Sequence, residues 1–244
     1  MGFAEMLIKI NIPYNSDKAI ETAEKLMKFI NDESHKKSQE LGAERGSFPN
    51  FKGSSWDIGK IKTMRNATTT TIAPTGTISL IAGVSSGIEP LFAISFVRDV
   101  MEGTKLLEVT PLFEEIARQR GFYSKILMLK VARKGTVNDI KEVPSDIRKL
   151  FVTSFDVSPE WHVKLQAAFQ KFVDNAVSKT VNLPQKAKPE DVAKIYLLAH
   201  KLKCKGITVY RTGSKQQQVL YVPDQAVQVK EEFAGTCHSG VCTN

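Results

Sequence analysis

Four consecutive threonines, Thr68 to Thr71, run into Ile72 and then into Ala73-Pro74-Thr75-Gly76. Branched Cβ atoms make such a run a poor helix former and suit it to a pleated strand. Proline and glycine then impose a turn. The pattern predicts a strand over 68–72, a second over Thr77 to Ile81 and a third over Phe92 to Val97. These β-type runs lie among well-signed helices, and alternation of that kind is α/β in character.

The first helix is expected from Asn15 to Leu41, capped by Asn15 or Ser16, with Ile20, Ala23, Met27 and Ile30 inward. A turn-rich stretch, Gly42 to Lys60, follows. Thr110 with Pro111 opens a helix that Gly121 closes, and a weaker one covers Ser124 to Arg133. Ser158 and Pro159 open another, with Trp161, Leu165, Ala168, Phe169, Phe172 and Ala176 as a core stripe. Pro189-Glu190-Asp191 opens the last, placing Val192, Ile195, Ala199 and Leu202 inward, and Gly206 ends it. Strands at Ile207 to Tyr210 and Gln217 to Val222 complete the reading. The buried-looking strands suggest a parallel arrangement, and so few of them leave open edges that need partners. Residues 223–244 lose periodicity and read as a flexible tail, leaving 1–222 as the folded part.

At 244 residues the chain buries a core without staples, and its three cysteines, at 204, 237 and 242, exclude a disulfide-built secreted scaffold. No apolar run reaches the roughly 18 residues of a membrane-spanning helix. The N-terminus lacks the pattern of a secretory signal, so a cytoplasmic protein without membrane contact is expected. A formal net charge of +8 suits an anionic partner. Lysines interleaved with glutamates, as over Lys18 to Lys28, read first as a solvated face, which leaves the excess only mildly informative.

Three features bear on chemistry. The turn Pro74-Thr75-Gly76-Thr77-Ile78-Ser79 offers hydroxyls and an approachable backbone to phosphate oxygens, or is simply a connection between strands. It lacks the Gly-Lys-Ser/Thr of a nucleoside-triphosphate P-loop. Cys237 and Cys242 bracket His238-Ser-Gly-Val on the tail. They form a thiol–disulfide exchange pair, part of a zinc site with His238, or an incidental pair. Glu89 either lines the same cleft as the turn or caps the next segment, and Tyr210 either lines a site or packs. Cys204 reads as a small apolar residue, and His162 and His200 stand without an adjacent acid or nucleophile.

Arg65-Asn-Ala-Thr-Thr-Thr-Thr-Ile-Ala-Pro-Thr-Gly-Thr-Ile-Ser79, followed by Ser85-Ser-Gly-Ile-Glu-Pro90, resembles the catalytic chain of ribonucleotide reductases, most of all the adenosylcobalamin-dependent class II. Phe169 to Asn182 and Cys204 to Arg211 fit the same family in the same order. The resemblance implies the C-terminal portion of a ten-stranded α/β barrel, incomplete on its own. It implies that residues 74–79 hold the substrate's phosphates and that Cys237 and Cys242 re-reduce an active-site disulfide. The family's Asn-x-Cys-x-Glu, which carries the radical cysteine, is absent from this sequence. The implied partners are therefore a ribonucleotide, an N-terminal half of the reductase and a thioredoxin-like reductant, with no direct nucleic-acid binding. Adenosylcobalamin is the implied cofactor, held mostly by the complement. Rival readings are a non-catalytic nucleotide-phosphate-binding or assembly module, and a remnant without function. The substrate's phosphate count stays open.

Overall fold

The computed structural model describes residues 1–100 and 104–214. Helix α1 (Phe3–Lys9) is followed by the long α2 (Asp17–Arg45), the short α3 (Ser55–Ile58) and α4 (Gly76–Ala82). Strands β1 (Ser95–Val100) and β2 (Thr104–Val109) come next, then α5 (Pro111–Gln119), α6 (Lys125–Lys134), α7 (Ser145–Leu150) and α8 (Pro159–Gln170). The sequence β3 (Thr180–Leu183), α9 (Pro189–Lys201), β4 (Thr208–Arg211) closes the described part.

Most helix starts follow the expected chemistry. Ser16 accepts from the Ala19 amide at 3.2 Å, and Ser124 accepts from Leu127 at 3.1 Å. Thr110 flanks α5, but its hydroxyl donates to the Ile94 carbonyl at 2.9 Å and does not cap. The buried face of α2 is Ala19, Ala23 and Met27, while Ile30 is exposed, so the inward stripe is displaced from the expected one. Helix α8 stops at Gln170, which leaves Phe172 and Ala176 beyond it. Helix α9 stops at Lys201, and the left-handed residue after it is Lys203, not Gly206.

Two apolar clusters form the interior. The larger joins α1, α2 and α5–α8, with Phe113 edge-on to Phe151 at 5.1 Å and Phe3 edge-on to Phe169 at 5.0 Å. The smaller gathers Val163, Val181, Leu183, Ile195 and Ala199. Helix α8 sits between them. Its Leu165, Ala168 and Phe169 face the first cluster and its Val163 the second, so it is buried on most sides.

Among the described residues the β-structure is smaller than a barrel. Strands β3 and β4 pair in parallel across α9, with Thr180 opposite Thr208 and Leu183 opposite Arg211. A parallel return needs a crossover of this length. Strands β1 and β2 form an antiparallel pair in place of the expected parallel arrangement, because their closeness in sequence leaves no room for a crossover. Thr68 to Ile72 is not a full strand: Ile72 alone bridges Val177, in parallel. Thr77 to Ile81, expected as a strand, is helical. A strand there would need a neighbour for its backbone groups, whereas a helix satisfies its own. The expected strand at 217–222 and the tail from 223 lie outside the described residues.

Candidate functional site

The extended threonines spend their hydroxyls on anchoring the approach to the turn. Thr69 donates its amide and its hydroxyl to Asp174, at 2.7 and 3.1 Å. Thr70 donates to Asn31 Oδ1 at 2.7 Å and accepts from the Asp174 amide at 3.0 Å. His35 reaches the same carboxylate at 2.8 Å. Burial works to raise the Asp174 pKa, but the Thr69 amide and His35 hold it below the usual range.

Thr75 then adopts a left-handed conformation, φ 54°. A β-branched residue rarely does so, and here its neighbours impose it. Thr75 Oγ1 accepts from the Gly87 amide at 2.7 Å. The Thr75 carbonyl accepts from Ser79 at 3.0 Å, which starts α4. The first-turn amides of Gly76, Thr77 and Ile78 meet no acceptor among the described residues. Thr77 is exposed beside them.

Residues 84–89 form a strap behind this helix start. Val84 donates to the Ser79 carbonyl at 3.0 Å, and the Ser79 and Ser86 hydroxyls lie 2.9 Å apart. Ser85 gives its amide and hydroxyl to Glu5, at 2.7 and 2.6 Å, and Tyr14 donates to the Ile88 carbonyl at 2.6 Å. Gly87 has φ 49°, and a Cβ there would sit 3.1 Å from the Ala73 carbonyl oxygen, so the strap's approach to the turn requires glycine.

Glu89 ends the strap. It caps nothing; its Oε1 accepts from the Thr180 amide at 2.7 Å, and its Oε2 accepts from Lys179 Nζ at 2.5 Å. Lys179 is fully enclosed and also donates to His162 Nδ1 at 2.7 Å and to the Thr180 carbonyl at 2.5 Å. His162 Nε2 lies 3.0 Å from the Ser154 carbonyl. An acceptor role for Nδ1 therefore puts the proton on Nε2. Burial, with the neighbouring Lys179 charge, pushes the His162 pKa down to about 3.

Tyr210 stands on β4 opposite Asn182, half-buried, and no described hydrogen bond joins it to the turn. Cys204 is half-buried against the smaller cluster, and burial raises its thiol pKa, as suits an inert residue. Cys237 and Cys242 lie outside the described residues. A cavity of about 840 Å³ opens between Pro159, Leu183, Lys188 and Leu198, and the turn contributes nothing to its wall. Among the described residues no three His, Cys, Asp or Glu side chains are grouped to hold a metal. None of the described helices is long and apolar enough to cross a membrane. Sequence reasoning missed Lys179 and the use of His162, because Glu89, His162 and Lys179 are far apart along the chain.

Residues 1–210 match the family model described as the barrel domain of ribonucleotide reductase. The chain belongs to the ribonucleotide reductase family. It is 50% identical to a vitamin B12-dependent ribonucleoside-diphosphate reductase of Thermoplasma acidophilum, over 99% of this chain and 34% of that protein. It is 46% identical to the protein of the same name from Mycobacterium tuberculosis, with the same two coverages, 99% and 34%. The chain thus spans about a third of the length of these relatives. It corresponds to the C-terminal barrel portion of class II reductases. The alpha subunit of a class Id ribonucleotide reductase from Actinobacillus ureae shares the fold, with a TM-score of 0.72 at 23% identity over 87% of this chain and 38% of that one. The small, unclosed β-structure is that of a partial reductase barrel.

Proposed function

We propose that this chain supplies the substrate-phosphate seat of a ribonucleotide reductase: in the turn Pro74, Thr75, Gly76, Thr77, Ile78 and Ser79, the amides of Gly76, Thr77 and Ile78 and the Thr77 hydroxyl receive a ribonucleotide's phosphate oxygens, while Pro74, Thr75 and Ser79 shape the turn. The start of α4 carries the reading. Three amides without a described acceptor stand beside the exposed Thr77 hydroxyl, on a turn fixed by Thr75 and the strap. Donors held in place before the ligand arrives favour an anion. Relatives named as diphosphate reductases support a nucleoside diphosphate as the substrate. Glu89 lines the strap behind the seat.

In this reading Cys237 and Cys242 are the reducing tail, 223–244, of a folded part ending near 222. Removal of the ribose 2′ hydroxyl as water takes two electrons from two thiols and leaves them as a disulfide. The tail dithiol exchanges with that disulfide and becomes one itself, and a thioredoxin-like reductant restores it. The thiols that face the substrate and the radical cysteine belong to an N-terminal complement. Adenosylcobalamin supplies the initiating radical when bound. Among the described residues the imidazoles of His35 and His162 are taken by Asp174, Lys179 and Ser154, and the cofactor is held mostly by the complement.

The test is reconstitution. The isolated chain reduces no CDP, and activity appears on mixing with a chain carrying the radical cysteine. Thr77→Glu places a carboxylate on an exposed first-turn position that tolerates one. It weakens CDP far more than cytidine, which has no phosphate. Equal effects on both would remove the phosphate seat from residues 74–79.

A further inference from the structure

We infer that Lys179 is a positioning residue for the phosphate seat: through Glu89 it clamps the 84–89 strap onto β3, and the strap in turn fixes the turn at Thr75. The inference rests on the phosphate reading of that turn. An ammonium has three N–H groups, and the Lys179 ammonium has three acceptors: Glu89 Oε2, His162 Nδ1 and the Thr180 carbonyl. The side chain is wholly removed from solvent. A hydrocarbon of similar volume often serves stability as well as a buried ion pair does, so the pair's value lies in what it holds.

What it holds is Glu89, by both oxygens, one to Lys179 and one to the Thr180 amide. Two residues upstream the Gly87 amide meets Thr75 Oγ1, and Ser86 meets Ser79. The opposite side of the strap is tied to Glu5 and Tyr14. The strap is thus held from two sides, and Lys179 is its anchor on the β3 side. Behind Lys179, His162 is fixed by the Ser154 carbonyl and stays a neutral acceptor at neutral pH, since burial keeps its pKa near 3. Burial lowers the Lys179 pKa too, and the Glu89 charge opposes that shift.

The experiment uses the reductase assembled from this chain and its N-terminal complement. Lys179→Met raises KM for CDP about tenfold, the change expected when, of its three hydrogen bonds, the charged one that reaches the strap is lost, and leaves kcat nearly unaltered. The inhibition constant of cytidine does not move. Glu89→Gln keeps the volume and an acceptor for Thr180, and gives the same split. The double variant is no worse than either single one, because both cut the same link. If Lys179→Met does not assemble, Glu89→Gln decides. A cytidine constant that worsens in step with KM, or additive losses in the double variant, overturns the proposal. If Thr77→Glu weakens CDP selectively while Lys179→Met and Glu89→Gln do not, the seat stands and the positioning role falls. If Thr77→Glu shows no selectivity, the phosphate reading itself has failed.

Discussion

Acid should destabilise this protein through His162, and the structure sets both the sign and the size of the effect. The folded-state pKa is about 3, against an ordinary value of 6.5. Below pH 6.5 the unfolded chain takes up a proton on this imidazole and the folded chain does not. The stability tied to the neutral ring is therefore complete above pH 6.5 and is lost as pH falls toward 3. At about 1.4 kcal/mol per unit, lowering the pH from 6.5 to 5 withdraws about 2 kcal/mol. The groups that face the ring are the Lys179 ammonium at Nδ1 and, beyond it, Glu89, and both are shared with the control variant. His162→Gln removes the titration and retains a polar side chain. Urea unfolding of both proteins at pH 7.5 and pH 5 should show the wild type losing about 2 kcal/mol more than the variant between the two conditions. Equal losses would refute the reasoning, since the imidazole would then be taking up its proton in the folded state.

Three further outcomes follow from single contacts. Gly42→Ala destabilises by about 1–3 kcal/mol in urea unfolding, although alanine is the better helix former; the new Cβ would lie 2.8 Å from the Met64 amide nitrogen, on backbone that has no rotamer to yield. Phe113→Ala, in a fully buried ring set against Phe151 and Phe122, costs about 3–5 kcal/mol and lowers Tm accordingly. Thr75→Val removes the acceptor of the buried Gly87 amide at a cost of about 1–3 kcal/mol, and hydrogen exchange at Gly87 accelerates.

Several of these features were readable along the chain and others were not. Ser16, Ser124 and the Pro111, Pro159 and Pro189 helix starts are local chemistry, and each lies where its residues say. The fate of Thr77 to Ile81 is not local. Its branched side chains favour a strand, yet Ile78, Leu80 and Ile81 are exposed, and neither burial nor a paired neighbour sustains one. Ile30 misleads for a similar reason, since α2 turns Ala19, Ala23 and Met27 toward α8 and leaves Ile30 at the surface.

The sequence by itself determined the family, because the run from Arg65 to Pro90 carries the resemblance within one contiguous stretch. Spacing along the chain also placed most helices, since capping and apolar periodicity act over a few residues. Only the tertiary structure decided that Glu89, His162 and Lys179 meet, that the threonines at 69 and 70 serve Asp174 and Asn31, and that the turn leans on a strap. Those contacts join residues many positions apart. Hydrogen bonding and desolvation act through space, and the chain order carries no record of which distant groups the packing of α8 against β3 will bring together.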